Sequence, residues 1–394
     1  MYADDIVLVS NNEEKLQIML NTLHDWCKRW RVIINTNKSK TVHFRRGRTS
    51  RTDKEFRVGE NILETVAQYR YLGVIFDERN DFSANCEALA KGAGRALGSL
   101  ISKIHNMKHF RFQSFEKLYT ACITPILEYS ASVWGSKTYQ SLDNVHNRAL
   151  RYFMGVHRFT PLPALYGDSG WKPTLYGRWV CVLRFWNRLI KMDDNRLTKK
   201  VFNFDYTKCV NNWSSDVKQI LSTLGIIDRF HAKSCIDLDA AKSLMTQHYI
   251  VKWSQDVLNM PKLRTYATFK SEFKCEDYVR MNLSKHERSL LCQFRSGILP
   301  LRIETGRYAG EPVDNRTCRF CDLTTVEDEK HFLLVCDLYN NIRNDVFGDI
   351  LINHDFIHLN PEQRFCHILN VYPRKTAKFI VKAYLLRQSV MYPL

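Results

Sequence analysis

Two adjacent aspartates, Asp4 and Asp5, interrupt an apolar run in the stretch MYADDIVLVS at residues 1–10. The β-branched residues of 5–10 predict a short strand. Carboxylates at the end of a strand suit Mg²⁺, which takes hard oxygen ligands. Because neighbouring side chains of a strand point to opposite faces, both aspartates can serve one site only at a tight turn, with one of them as the principal ligand. The alternative is a solvated acidic turn before a buried strand.

Downstream of these aspartates, helical and strand-like patterns follow one another. Apolar residues recur at helical spacing over 12–34, where Asn12 or the residue before it is a candidate N-cap. Residues 35–44 predict a turn that leads into a strand. Residues 56–77 predict a hairpin with Gly59 in its turn, followed by a further strand.

From about residue 84 onwards the periodicity is mostly helical. Three consecutive amphipathic segments predict helices at residues 83–104, 114–135 and 140–155. The third ends at Gly155, a plausible C-terminal stop. Residues 158–170 predict a loop or short connector, and residues 172–295 are mainly helical.

The composition favours a folded chain with a polyanionic partner. The 394 residues are enough for two or three domains. Lys and Arg number 58 against 41 Asp and Glu, a net charge of +17, which indicates nucleic acid first and an acidic membrane surface second. A merely basic soluble protein is an equal alternative. Twelve cysteines without a secretion signal indicate a reducing compartment.

Four cysteine and histidine residues near the end of the chain have metal-ligand spacing. They follow the pattern Cys318-x2-Cys321-x9-His331-x4-Cys336. Three thiolates and one imidazole match a tetrahedral Zn²⁺ site, and because protein fills all four positions the ion would be structural. The alternative is a set of buried cysteines and a helix-start histidine without metal.

Several segments resemble, in chain order, the conserved blocks of reverse transcriptases. YADDIVLVS resembles the Y-x-D-D box. The segments WCKRWRVIINTNKSKTVHF (26–44) and YRYLGVIFD (69–77) are similar to the two blocks that follow this box in the family. Further segments resemble the thumb, post-thumb and cysteine-rich tail of non-LTR retrotransposons of the LINE type: ITPILEYSASVWG (123–135), VHNRALRYFMG (145–155), LPALYGDSGWKPTLYGR (162–178) and DEKHFLLVC (328–336).

This resemblance implies an α+β fold. A truncated polymerase palm of short antiparallel strands plus a helix precedes a mainly α-helical thumb and connection region and a small zinc-binding tail. The implied divisions are the palm at 1–83, the thumb at 84–180, a helical connection at 181–295 and the zinc-binding region at 296–394.

The resemblance also implies roles for single residues. Asp4 becomes a ligand of catalytic Mg²⁺ and Asp5 the less direct second acid of the box. The nucleotide and primer residues it implies are Tyr2 beside the nucleotide pocket, Lys38 near the triphosphate, and Tyr71, Leu72 and Gly73 at the primer end.

The implied activity is RNA-directed DNA polymerisation by two-metal nucleotidyl transfer onto a primer 3′ hydroxyl. The partners are an RNA template and a DNA primer or target, in the nucleus and cytoplasm, with no membrane. In this family, another catalytic aspartate and the fingers precede the acidic box, and the three residues before Asp4 cannot contain them. Met1 is therefore expected to be an internal methionine of a longer reading frame. We therefore expect no primer extension by this chain alone and a complementing fingers–palm chain as a further partner. The alternatives are a non-catalytic RNA- or DNA-binding remnant and, more weakly, a scaffold that adds its strands to another chain.

Two groups of basic residues are candidates for contacts with the nucleic-acid backbone. Arg45, Arg46, Arg48 and Arg51 crowd one polar loop, where Lys and Arg give sequence-independent, salt-dependent affinity. Arg148 and Arg151 are three residues apart and share a helical face. The alternatives are a loop chosen for solubility and the ordinary polar side of an amphipathic helix.

Overall fold

A computed structural model describes residues 4–107 and 110–391 of the chain. It is mostly helical, with two small antiparallel sheets of two strands each. This content fits the predicted α+β class. The chain divides into two compact units, Met1–Leu89 and Ala90–Leu394; the four-part division made above stays a prediction.

The first unit begins with the helix that the sequence predicts. Helix α1 spans Glu13–Trp30, and the Asn12 side chain caps it by accepting a hydrogen bond from the Lys15 amide. It ends before the predicted limit, because Arg31 adopts a left-handed conformation with φ of 56°. Its buried Leu20 packs with three residues of the strands that follow, Phe56, Val58 and Leu63, to form the core of the unit.

The strands form two hairpins. Strand β1 (Phe56–Val58) pairs with β2 (Asn61–Leu63), and β3 (Gln68–Tyr71) pairs with β4 (Val74–Asp77). Gly59, with φ of 61°, lies in the first turn as predicted. The predicted further strand is instead a second hairpin. Its two turn residues, Leu72 and Gly73, both have positive φ, which is the conformation that two-residue hairpin turns require.

Two predicted strands of this unit are absent from the described residues. Residues 6–10 are in no strand, and three of their apolar side chains are exposed: Ile6, Val7 and Val9. Residues 35–44 contain a turn and a single parallel bridge from Thr41 to Thr65. Both strand predictions were therefore wrong. The physical reason is that a β-branched segment forms a strand only where a neighbouring strand pairs with its backbone.

The second unit is helical. Its helices, with the first beginning in the preceding unit, are α2 (Ser83–Ile104), α3 (Phe112–Cys122), α4 (Thr124–Leu127), α5 (Ala131–Trp134), α6 (Gln140–Met154), α7 (Leu162–Ser169), α8 (Thr174–Ile190), α9 (Leu197–Lys208), α10 (Trp213–Thr223), α11 (Asp228–His231), α12 (Leu238–Leu258), α13 (Tyr266–Phe269), α14 (Asp277–Arg280), α15 (Lys285–Arg295), α16 (Arg302–Tyr308), α17 (Asn340–Leu351), α18 (His354–Ile357), α19 (Pro361–Val371) and α20 (Pro373–Met391). Over the described residues, none of these helices has the length and apolar content that crossing a bilayer requires.

Proline and glycine explain where the helices of this unit depart from the predictions. The predicted helix over 114–135 is broken into α3, α4 and α5, and Pro125 occupies the first turn of α4, where its missing amide is tolerated. The segment predicted as a loop at 158–170 contains α7. Pro163 lies in the first turn of that helix and Gly170, with φ of 71°, ends it. The predicted helices at 83–104 and 140–155 are confirmed, the latter with Gly155 as its C-cap.

A buried ion-pair network ties the end of α7 to α15. The Asp168 carboxylate accepts two hydrogen bonds from Arg295, at 2.9 and 3.0 Å. The hydroxyls of Tyr266 and Tyr278 donate to the same carboxylate at 3.0 and 2.7 Å. Glu276 pairs with Arg295 at 3.0 Å. Four donors therefore satisfy a carboxylate that is 1% exposed.

Candidate functional site

The three cysteines and the histidine of the spaced motif converge on one point. Their ligand atoms all lie within 4.8 Å of one another. The sulfurs of Cys318 and Cys336 are 3.8 Å apart, and Cys321 Sγ is 3.5 Å from His331 Nε2. Metal–sulfur bonds of about 2.3 Å and metal–nitrogen bonds of about 2.0 Å at tetrahedral angles require roughly these separations. The donor set is therefore close to the arrangement that a tetrahedral ion requires.

A short hairpin places the first two ligands. Thr317 forms an antiparallel bridge with Val326, and the Cys318 amide donates to the Thr325 carbonyl at 2.8 Å. The loop between them carries Cys318 and Cys321. The amide of Phe320 donates to the Cys318 sulfur at 3.4 Å, and the amides of Leu323 and Leu338 approach the sulfurs of Cys321 and Cys336. Each sulfur is thus approached by the amide two residues later, an arrangement that stabilises thiolates.

A π-helical turn places the other two ligands. The π turn spans His331–Val335, and the Cys336 amide donates to the His331 carbonyl at 2.9 Å. Residues five apart in an α-helix point about 140° away from each other. The wider π turn brings them toward one side, which is the physical reason that the His-x4-Cys spacing can chelate. Such turns are rare and recur at functional sites.

The orientation of the His331 ring is set by its other nitrogen. His331 Nδ1 lies 3.0 Å from the Thr325 hydroxyl, while Nε2 faces the cysteine sulfurs. A hydrogen bond on the distal nitrogen fixes the tautomer of a ligating imidazole. The Cys318 thiol shares a hydrogen bond with the Cys336 sulfur, which raises the pKa of Cys318 to about 12 and lowers the pKa of Cys336.

A buried ion pair and the hydrogen bonds of a buried arginine hold this hairpin and the π turn on the helices of the unit. Glu327, next to the hairpin, accepts two hydrogen bonds from Arg387 of α20, at 3.0 and 2.9 Å, and one from the Arg302 amide at 2.8 Å. Arg343 donates to the carbonyls of Leu333 and Cys336, both at 3.0 Å. Glu327, Arg343 and Arg387 do not belong to the predicted ligand set, and no sequence pattern indicates their contacts.

The acidic pair and its predicted neighbours lie in the first unit. Asp4 and Asp5 are exposed, and Tyr2 lies outside the described residues. Lys38 is exposed and lies in a turn. Its backbone carbonyl accepts a hydrogen bond from the Tyr69 hydroxyl of β3 at 2.9 Å. Tyr71, Leu72 and Gly73 form the tip of the second hairpin.

The four arginines predicted to contact nucleic acid in the polar loop fall into two classes. Arg45 contacts one carboxylate oxygen of Glu78 at 2.5 Å, and Arg51 contacts the other at 2.9 and 2.7 Å. Arg46 and Arg48 are exposed. Hydrogen bonding from Arg45, reinforced by Arg51, lowers the pKa of Glu78 to about 2 despite its burial. Glu78 therefore fixes the loop and leaves Arg46 and Arg48 facing solvent.

Glu78→Gln is expected to loosen this loop. The neutral amide cannot hold two guanidinium groups, so trypsin should cut after the loop arginines several-fold faster at neutral pH. The same clamp should weaken in acid, because a lowered pKa gives stability that is present above pH 4.5 and is lost as the pH falls toward 2. The matched control is Glu60→Gln, in the exposed turn of the first hairpin. Equal cleavage of both variants would contradict the role given to Glu78.

The two arginines predicted on one helical face differ in exposure. Arg148 of α6 is exposed, whereas Arg151 is half-buried and its Nε has no hydrogen-bond partner in the described structure. Burial lowers the pKa of Arg151. Of the two, only Arg148 offers an openly solvated charge.

Comparison with known proteins relates this geometry to a family. The model of the reverse transcriptase family (RNA-dependent DNA polymerase) matches residues 1–76, which include the acidic pair, Lys38 and the second hairpin tip. Over 159 residues, the chain is 27% identical to a "probable RNA-directed DNA polymerase from transposon BS" of Drosophila melanogaster. The first part of the chain is therefore similar to the reverse transcriptase family and to RNA-directed DNA polymerases of mobile elements.

The similarity to these reverse transcriptases is partial. The first match covers 38% of this chain and 18% of the relative. A second, to the RNA-directed DNA polymerase from mobile element jockey of Drosophila funebris, is 24% identical over 140 residues and covers 34% of this chain and 15% of the relative. The matched part thus spans less than a fifth of either relative. No solved structure matches the chain.

Proposed function

We propose that this chain contributes the acidic box, the helical thumb and a zinc-binding tail to an RNA-directed DNA polymerase of a non-LTR retrotransposon. The match of residues 1–76 to the reverse transcriptase family carries the proposal. The activity is transfer of a nucleotide to a primer 3′ hydroxyl on an RNA template. A DNA primer or target and a complementing fingers–palm chain are the further partners.

The acidic pair is the proposed metal-binding part of the polymerase site. Asp4 and Asp5 offer exposed carboxylate oxygens, the donors that Mg²⁺ prefers. When bound, the ion supplies positive charge for phosphoryl transfer. Asp4 is the principal ligand and Asp5 the supporting one. Lys38 contributes a positive charge for the triphosphate, and Tyr71, Leu72 and Gly73 support the primer end.

The exposed arginines are the proposed contacts with the template–primer duplex. Arg46 and Arg48 in the loop and Arg148 on α6 are exposed, and each phosphate contact of this kind is sequence-independent and weakens with salt. Arg45 and Arg51 serve mainly to shape the loop through Glu78. Arg151, half-buried, contributes less.

The cysteine–histidine cluster is proposed to hold one structural Zn²⁺. Tetrahedral coordination by three thiolates and one imidazole is typical of zinc and leaves no open position for a substrate. Cys318, Cys321, His331 and Cys336 would be the ligands, and Thr325 would orient the imidazole. The ion would hold the hairpin on the π turn in the tail of the polymerase.

Loss of the acidic ligand is expected to abolish nucleotide incorporation. The chain, mixed with a fingers–palm fragment, should extend a labelled primer on an RNA template, and Asp4→Asn should reduce the rate at least about a hundredfold, because removing a charge-stabilising catalytic group costs that much. Asp25→Asn, an exposed acid on α1, is the matched control. Incorporation that survives Asp4→Asn would refute the assignment.

Binding and incorporation assays with and without the fingers–palm fragment test the remaining alternative, a chain that binds nucleic acid but has no catalytic role. A non-catalytic nucleic-acid-binding remnant, which the family match does not favour, would bind template–primer in a salt-dependent way and never incorporate nucleotide, whatever chain is added. Incorporation by the chain alone, lost in Asp4→Asn, would overturn our expectation that it needs a complementing chain.

A further inference from the structure

A cavity of about 340 Å³ in the second unit has no part in the function proposed above. Its walls come from α3, α4, α6, α8 and α12. The three segments at 123–135, 145–155 and 162–178, which are remote from one another in sequence, all reach it. Glu128 comes from the first and His146 from the second.

One ring nitrogen of the cavity histidine, Nε2 of His146, makes no hydrogen bond of normal geometry, although the histidine also interacts with the Lys172 backbone. His146 is 7% exposed, stacks on Trp171 with ring centroids 4.9 Å apart, and shares a 2.9 Å hydrogen bond between its Nδ1 and the Tyr119 hydroxyl. Burial lowers the pKa of His146 to about 4 and raises that of Tyr119, so both are neutral at pH 7. With Tyr119 donating to Nδ1, the proton of His146 lies on Nε2.

Two carboxylates also line the cavity. Glu128 lies against the backbone of α8 at Gly177, where an added Cβ would meet its Oε1 at 2.1 Å. Burial raises the pKa of Glu128. Glu116 accepts a 2.8 Å hydrogen bond from the Trp171 indole. Lys172 and Lys242 add positive charges, and Lys172 donates to Thr246 at 2.7 Å.

The charged, polar and aromatic groups that line the cavity determine which class of ligand it favours. Carboxylates disfavour a pure anion and Lys172 disfavours a pure cation. The remaining wall is largely apolar and aromatic and includes Tyr119, Trp171 and Tyr176. A flat neutral ring that carries both hydrogen-bond donors and acceptors satisfies all of these groups.

We propose that the cavity binds an unstacked nucleobase of a single-stranded segment of nucleic acid, with guanine preferred. The N1–H and 2-amino groups of guanine present two donors to the Glu128 carboxylate, and its O6 and N7 acceptors suit the Nε2–H of His146. Proteins commonly recognise single-stranded RNA by stacking splayed bases on aromatic rings and bonding their edges. The proposal rests on the proposed function, which supplies a nucleic-acid partner.

Calorimetry with three small probes tests this assignment on the full chain. Guanosine monophosphate should bind about tenfold more tightly than inosine monophosphate, which lacks the 2-amino group. Ribose 5-phosphate should not bind. In Glu128→Gln the amide offers a single acceptor, so the preference for guanosine over inosine monophosphate should fall to about twofold or less. The exposed Glu87→Gln is the matched control and should keep it.

A second variant separates the cavity from the fold. Gly177→Ala should preserve the helix, since alanine favours it, yet its methyl group displaces the Glu128 carboxylate and should weaken guanosine monophosphate binding several-fold. Equal binding of all three probes would show that the site recognises phosphate and would overturn the proposal. Absence of guanosine monophosphate binding at millimolar concentration would also overturn it. Salt-dependent binding of a template–primer duplex, measured on the same proteins, distinguishes this failure from failure of the proposed function.

Discussion

Asp168→Ala is expected to lower the free energy of unfolding by about 3–5 kcal/mol, because removing one partner leaves the other charge buried and uncompensated. Arg295 is 1% exposed, and Glu276 would be its one remaining charged partner among the residues that the structure describes. The Tyr278 hydroxyl would lose its acceptor, and the Tyr266 hydroxyl would retain the Ala164 carbonyl at 3.3 Å. Urea denaturation followed by tryptophan fluorescence measures the change.

The control for this network is Asp194→Ala, an exposed acid that should change the free energy of unfolding by no more than about 0.5 kcal/mol. Burial opposes ionisation of Asp168, but the Arg295 guanidinium outweighs it and holds the pKa of that carboxyl below its usual range. The wild-type advantage should therefore be complete above the ordinary aspartate pKa and should fade as the pH drops below it. Equal stability of the two variants would show that the network contributes nothing.

Loss of the zinc ligands is expected to have the second large effect. The purified chain should carry one Zn²⁺, and Cys336→Ser should lose it, since a three-ligand site holds structural zinc poorly. We expect Tm to fall by roughly 10 °C, because losing about 3–4 kcal/mol shifts the midpoint of a unit of this size by several degrees per kcal/mol. Metal analysis and calorimetry measure both quantities.

A cysteine outside the cluster supplies the control for the zinc prediction. Cys122 is exposed, so Cys122→Ser should keep the metal and the wild-type Tm. A chelator should lower the Tm of the wild type toward that of Cys336→Ser and leave that variant unchanged. A metal-free wild-type protein with an unaltered thermal profile would remove the zinc assignment.

Features set by neighbouring residues were predictable. The cap of α1 at Asn12, the stop of α6 at Gly155 and the turn at Gly59 each depend on a residue's own conformational preferences. The four candidate metal ligands were predictable for a related reason, because soft donors at chelating spacing are rare by chance. The structure brings their ligand atoms within 4.8 Å.

The missed features depend on residues far apart in the chain. Glu78 lies 33 residues from Arg45, and Asp168 lies 127 from Arg295. A run of β-branched residues does not specify whether another strand will pair with it. For this reason residues 6–10 were predicted wrongly.

By itself, therefore, the sequence of this protein determined its similarity to reverse transcriptases, its helix caps and its candidate metal donors, because these depend on residue identity and local spacing. The tertiary structure alone decided which arginines stay solvated, which carboxylates are buried in ion pairs and which segments share the cavity at His146. Burial and charge pairing are properties of the packed chain, so no local pattern contains them.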